Sequence, residues 1–434
     1  MGTVDSRLLN GYLEKIGADV YAYKRPGYSS ITALSGNGLG LKNWQGDIYS
    51  IFGTTLYKNG ISVGTVNGSS PYTFNSNLGT TNHLFLKNLT HAYQYDTGGG
   101  LVAIAGGYPA VTIPGSAFLD GTVYVMQANA AILGSDINDL TTWGALNTII
   151  AQMEPDSGVF ISKQIAYVVA MKQWTTEVFF DAGNPTGSPL QSAQGAQVTY
   201  GCRAAGSVQT VEGALAWISS TRTGSIGVVW MEGVKAELVS TAPIERLLQQ
   251  ADFTTVWSWN MKIAGHIFYG VTLKNSNLTL VYDRTTNTWF RWTDTNGNYW
   301  PFVDSTYDSL QQVLIQHETN GNIYKVEATT FLDAGQSIPF DLYTPNFDGG
   351  NHLKKTLVRM DFLADQASTG TLSVRVSDDD YQTWTNFRTV DLGTKRPNLR
   401  DCGTFRKRAF HFHYTSNTPL RLKSVDMNII QGVG

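Results

Sequence analysis

"GDIYSIFGTTLYKNGISVGTV", residues 46–66, sets three runs of four to six β-forming residues around "GTT" and "NG". Asn-Gly between apolar runs is a favoured two-residue hairpin turn, because both positions take positive φ at little cost. The stretch therefore predicts a β-meander. Similar units return at 82–96, 121–135, 164–183, 213–233, 266–292 and 311–328. Between the matching early-strand residues Tyr49, Phe85, Val123, Tyr167, Trp217, Phe268 and Val313, the steps are 36, 38, 44, 50, 51 and 45 residues. A four-stranded propeller blade takes about 40–50 residues, so the recurrence predicts an all-β chain built on a six- or seven-bladed β-propeller. Aromatic groups such as "VWSW" (256–259) and "WFRW" (289–292) recur with this period and read as blade core.

The composition agrees. Charged residues make up only 15% of the 434, against roughly 25% in an average domain, and 44 glycines supply turns. Two stretches break the strand pattern. "SDINDLTTWGALNTIIAQMEPD" (135–156) has a capping Ser135 or Asp136, then Trp143, Leu146, Ile149, Ile150 and Met153 near helical spacing, and a stop at Pro155. "STAPIERLLQQADF" (240–253) places Ser240 and Thr241 ahead of Pro243 and Glu245. Both predict short inserted helices. Beyond "DLYTPNFDGGNH" (341–352) the texture becomes alternating strands of five to nine residues with polar turns, the pattern of an antiparallel β-sandwich. The expected division is 1–45, an N-terminal segment packed on the propeller or the sandwich; 46–340, the propeller; and 341–434, the sandwich.

Two cysteines, Cys202 and Cys402, stand in no metal-binding or redox spacing and suggest a reducing place of synthesis. The N-terminus, with Asp5, Glu14 and Asp19, does not read as a signal peptide. The weakly apolar 101–119 is broken by Gly106, Gly107, Pro109, Pro114 and Gly115, so no membrane-spanning segment is expected. Charge is divided unevenly: 13 Lys and Arg stand against 8 Asp and Glu in residues 351–434, net +5, leaving 18 against 26, net −8, in residues 1–350. An acidic body followed by a basic tail suggests separate surfaces for separate partners.

"SDDDYQTW" (377–384) nearly spells the Asp-box hairpin, S-x-D-x-G-x-T-W, with Tyr381 in place of Gly. At a strand–turn–strand tip, Asp378, Asp379 and Asp380 cap backbone N–H groups and tolerate unusual torsions, so the stretch reads as a turn rather than a catalytic or calcium site. His411 and His413, two apart on a strand, share one face and could pair on zinc, but no third ligand is marked near them in the sequence. His83, His91, His266, His317 and His352 are dispersed, and HExxH, GxSxG and GxxxxGK[ST] are absent. No catalytic, cofactor or metal residue is therefore assigned. The densest basic cluster, Arg396, Arg400, Arg406, Lys407 and Arg408, is a candidate contact for an acidic partner or DNA phosphates, with a solvated strand edge as the alternative.

Three stretches carry a family resemblance. "SRLLNGYLEK...VYAYKRPG" (6–27) is similar to the opening of the packaged-DNA stabilisation proteins of short-tailed bacteriophages. Residues 206–248 resemble their middle region, with its tryptophan strand and S-T-x-x-I-E helix start, and 392–429 resemble their close, with its F-R-x-R-x-F strand. The resemblance implies a structural virion protein made in the bacterial host cytoplasm and assembled into the virion tail. It implies a tail hub or nozzle subunit, in a homo-oligomeric ring that is commonly a hexamer, below the portal and adaptor rings and beside tail fibre, spike or needle proteins. Such a ring touches packaged double-stranded DNA transiently, helps retain it and conducts it at ejection. The acidic body suits a conduit, since a positively charged lining would bind a duplex carrying about one phosphate per 1.7 Å of axis and hold it fast. The competing readings are a propeller-type glycan-degrading tail protein, which needs a pair of carboxylates facing one pocket, and a glycan-binding module using Tyr381 and Trp384 as its platform.

Overall fold

In the computed structural model, which describes residues 7–79, 81–365 and 370–432, seven four-stranded blades form a closed ring. Blades 1 to 6 occupy 38–65, 73–103, 117–150, 158–192, 201–238 and 256–291. Blade 7 takes three strands from 302–327 and its fourth from the other end of the chain, Gly27–Ser30, which pairs antiparallel with Ile323–Glu327. The ring is thus closed by a strand from residues 27–30, and its first complete blade begins at Gly38, ahead of the expected start at residue 46. Each of the seven early-strand residues singled out by spacing lies in the second strand of its blade.

Second strands are sandwiched between neighbouring blades on both faces and so read as nearly unbroken apolar runs, as in Thr122–Met126 and Ala214–Ser220, where every residue is buried. Outer strands face solvent: Ile61–Thr65 has no buried residue. The Asn59-Gly60 turn has φ of 49° and 81°, the primed geometry that suits twisted strands.

The second helix forms, over Ala242–Gln249, with Pro243 in its first turn and Ile244 and Leu248 packed into the shared core of blades 5 and 6. The first does not. Residues 135–156 cross the outer side of blade 3 as turns and end in its edge strand, Thr148–Ile150. Ser135 is not a helix cap: its hydroxyl accepts from the Val123 N–H within the blade. Asp139 instead holds the turn at Thr141 and Thr142. Leu140 and Trp143 are wedged into the core between blades 2 and 3, and Ala151, with Ile149 packed beside it, joins the core shared with blade 4. The β-branched Thr141, Thr142, Thr148, Ile149 and Ile150, together with Gly144, weaken the helix that the apolar spacing suggests.

The C-terminal strands form a sandwich whose core joins Phe340, Leu372, Val374, Phe410 and Phe412 of one sheet to Leu357, Met360 and Phe362 of the other. The N-terminal strands weave through it. Arg7–Leu9 pairs antiparallel with Phe340–Tyr343 and meets blade 6 through Leu9 and Arg291, making one nine-stranded sheet across propeller and sandwich. The hairpin of Gly11–Ile16 and Asp19–Lys24 extends the opposite sheet through Arg421–Gln431.

Candidate functional site: the clasp, the bore and the basic edge

Asn10 and the Lys24-Arg25-Pro26-Gly27 turn sit where both bodies meet. Arg25 is fully buried, and its guanidinium donates to both carboxylate oxygens of Asp333 (2.9 and 2.5 Å), to the Thr293 carbonyl (3.0 Å) and to the Asn10 side-chain oxygen (3.0 Å). Asn10 takes a positive φ of 52°, and its amide donates to the Thr293 hydroxyl and the Pro339 carbonyl. The rings of Trp292 and Trp300 lie 5.7 and 5.6 Å from the guanidinium carbon. Burial pushes the Asp333 carboxyl up, and Arg25 opposes that rise. Gly27 follows because a Cβ there would stand 2.0 Å from the Leu332 carbonyl oxygen. The opening motif of the sequence is therefore a clasp that fixes the ring-closing strand. Sequence reasoning did not assign these roles, although four polar or turn residues among strand formers marked the place.

Innermost strands of six blades, with Pro114 and Ser116 ahead of the first strand of blade 3, line a bore of about 920 Å³. Its wall mixes Ser, Thr, Asn and Gly with apolar and aromatic groups such as Phe74, Phe160 and Trp257, and its charged members are Lys42, Lys163, Glu212 and Asp304. Burial raises the Asp304 carboxyl to about 6 against the backbone N–H groups of Leu41 and Ser305, which it accepts. A duplex whose major groove alone is about 12 Å wide and 8.5 Å deep does not fit such a space.

At the sandwich, the acidic turn and the basic cluster meet. Arg408 is buried, forms a bidentate pair with Asp378 (both contacts 2.7 Å) and lies over the Phe405 ring at 4.5 Å. Lys407 pairs with Asp380 at 2.5 Å. Asp379 accepts from the Thr383 hydroxyl and backbone and from the Ser377 hydroxyl, which hold its carboxyl down at about 2. Asp380 and Tyr381 both take positive φ. Arg408 is thus a structural ion-pair partner rather than a surface contact, since its charge is spent on Asp378 inside the fold. Arg396, Arg400 and Arg406 are exposed along the edge strands Asn398–Arg400 and Thr404–Phe405. Tyr381 and Trp384 fold inward, Tyr381 donating to the Thr344 carbonyl and Trp384 packing on Tyr343, His411 and Arg375, so neither offers an open platform.

The third group beside His411 and His413 is Asp341, directly across the sheet from His413. His411 Nε2 and His413 Nδ1 lie 2.6 and 2.7 Å from the same Asp341 oxygen. The Arg375 Nε–H donates to His411 Nδ1 at 2.8 Å, so the Nε2 of a neutral ring carries the proton and donates to Asp341. A metal-bound histidine presents its second nitrogen to an acceptor; here that nitrogen faces a donor, and the trio is a hydrogen-bonded relay. Burial raises the Asp341 carboxyl, but the hydrogen bonds from His411 and His413 outweigh it and hold it at about 2.

His317 gives a pH prediction. Its Nδ1 accepts from the backbone N–H groups of Thr319 and Asn320, and burial lowers its pKa to about 4. Between about 6.5 and about 4 the unfolded chain binds the proton that the folded chain refuses, so stability rises with pH across this window and is lost as pH falls through it. His317→Gln is expected to flatten the dependence of the urea midpoint on pH within that window; an unchanged slope would exclude His317 as its source.

The fold defines a seven-bladed β-propeller carrying a β-sandwich. The family described as bacteriophage P22 Gp10, β-propeller, matches residues 8–331, and the chain belongs to it. It is a structural phage protein of the packaged-DNA stabilisation class and a virion component. No curated protein matches the chain. Among solved structures it is similar to the extracellular domain of the putative hybrid two component system BT4673 from B. thetaiotaomicron (8% identity, TM-score 0.46, 74% of this chain and 46% of that one). The chain thus spans about half of that domain's length. It is also similar to a chain of the mitotic checkpoint complex (10% identity, TM-score 0.45, 72% and 95% covered) and to U3-55K (10% identity, TM-score 0.44, 69% and 99% covered).

Proposed function

We propose that the protein is a tail hub or nozzle subunit, arranged in a ring below the portal and adaptor rings, that helps retain packaged DNA and forms part of the ejection conduit. The family match over 8–331 carries this reading. The size of the bore supports its second half: one propeller cannot pass a duplex, so a conduit is enclosed by several copies. A rigid, clasped body with a net charge of −8 over residues 1–350 suits a wall that DNA slides past. Phage grown without this chain are expected to package DNA and then lose it, leaving empty heads by electron microscopy, with retention restored by supplying the chain in trans. Particles that hold their DNA without it would overturn the reading.

A further inference from the structure

We infer that the outer rim of blade 3 is a docking face for the sandwich edge of a second copy of this chain, resting on the ring reading above and deepening it. The apolar residues once expected to form a helix are divided by the fold. Leu140 and Trp143 go inward, while Ile137, Leu146, Ile150 and Met153, joined by Leu78 of blade 2, remain between 46% and 83% exposed. Leu78 and Ile137 stand together at one end of the blade, where the Asn77 amide donates to the Asn138 carbonyl and Gly121 lies against Ile137; Leu146 follows on the same crossing segment, and Ile150 in the edge strand and Met153 just after it continue toward blade 4. Exposed apolar groups gathered at a blade edge mark an interaction surface rather than ordinary scatter.

Charge identifies the occupant. Residues 88–162 hold six Asp and Glu and no Lys or Arg. Of these acids, Asp156 is committed to Lys172 and Glu154 to Arg222, while Asp120 and Asp136 stand exposed beside the apolar patch. The complementary surface is on the same chain: the sandwich edge with exposed Arg396, Arg400 and Arg406, in the segment of net +5. The sandwich is attached at blades 6 and 7, and blade 3 stands three blades away from each around the ring of seven, on the far side. The two surfaces cannot meet within one molecule, so they join different molecules head to tail, the arrangement that closes into a ring when the rotation permits.

The test uses the full chain in sedimentation and native mass spectrometry. Asp120→Lys with Asp136→Lys, and separately Arg396→Glu with Arg400→Glu, are each expected to weaken self-association about tenfold or more, and mixing the two variants to restore it. Leu146→Lys is expected to weaken it as well, while all three variants keep the wild-type melting temperature. Added salt is expected to weaken the wild-type contact, since exposed charges are screened over about 8–10 Å. Self-association unchanged by either reversal, or no recovery on mixing, overturns the docking face and leaves the ring reading standing. A wild-type chain that stays monomeric at every concentration also overturns it. The functional reading is overturned separately, by particles that hold their DNA without this chain.

Discussion

Arg25→Ala is expected to lower the unfolding free energy by ~3–5 kcal/mol, because it leaves the Asp333 carboxylate buried without its cation. The pair itself is not a large source of stability, since burial raises Asp333 despite the arginine beside it. What it supplies is geometry: five of the guanidinium's hydrogen bonds reach Asn10, Pro26, Thr293 and Asp333, tying the ring-closing strand, blade 6 and the segment after blade 7 into one node. The Arg25→Met, Asp333→Leu double variant is therefore expected to recover much of the loss, because neither charge is then stranded. Urea denaturation of the three variants distinguishes these effects. A loss below about 1 kcal/mol for Arg25→Ala would place it among ordinary surface changes and deny the clasp its role.

The propeller was legible because each blade buries its second strand on both faces, which writes an apolar run at a regular period: Tyr49, Phe85, Val123, Tyr167, Trp217, Phe268 and Val313 all fall there. Blade 7 was counted from its middle strands, but its closing strand was not foreseen, since pairing of Gly27–Ser30 with Ile323–Glu327 leaves no local trace in either segment. The false helix at 135–156 has a different cause. Helical spacing of Trp143, Leu146 and Ile150 reports where apolar groups stand in the chain, whereas a docking rim and a wedge between blades can leave the same spacing. The turn reading of Asp378–Asp380 followed from local backbone chemistry, but the sequence did not show that its carboxylates neutralise Arg408 and Lys407. Likewise Asp341 joins His411 and His413 only through register across the sheet.

Arg408→Glu and Arg406→Glu, adjacent in what reads as one basic cluster, are expected to behave differently. Arg408 is held on both sides by Asp378 and Phe405, with its side chain 4% exposed, so a glutamate there meets the Asp378 carboxylate in a space shaped for a guanidinium. Asp378 is itself 43% exposed and partly relieved by solvent, which sets the expected loss at ~2–4 kcal/mol rather than the full cost of a stranded buried charge. Arg406 is exposed, donating to the His352 carbonyl, and its reversal is expected to stay within about 0.5 kcal/mol of wild type. Failure of a triple reversal of Arg406, Lys407 and Arg408 to enter tails would therefore report misfolding before it reported a lost contact. Thermal melts of the two single variants separate these causes, and equal melting temperatures would return Arg408 to the surface as a partner contact.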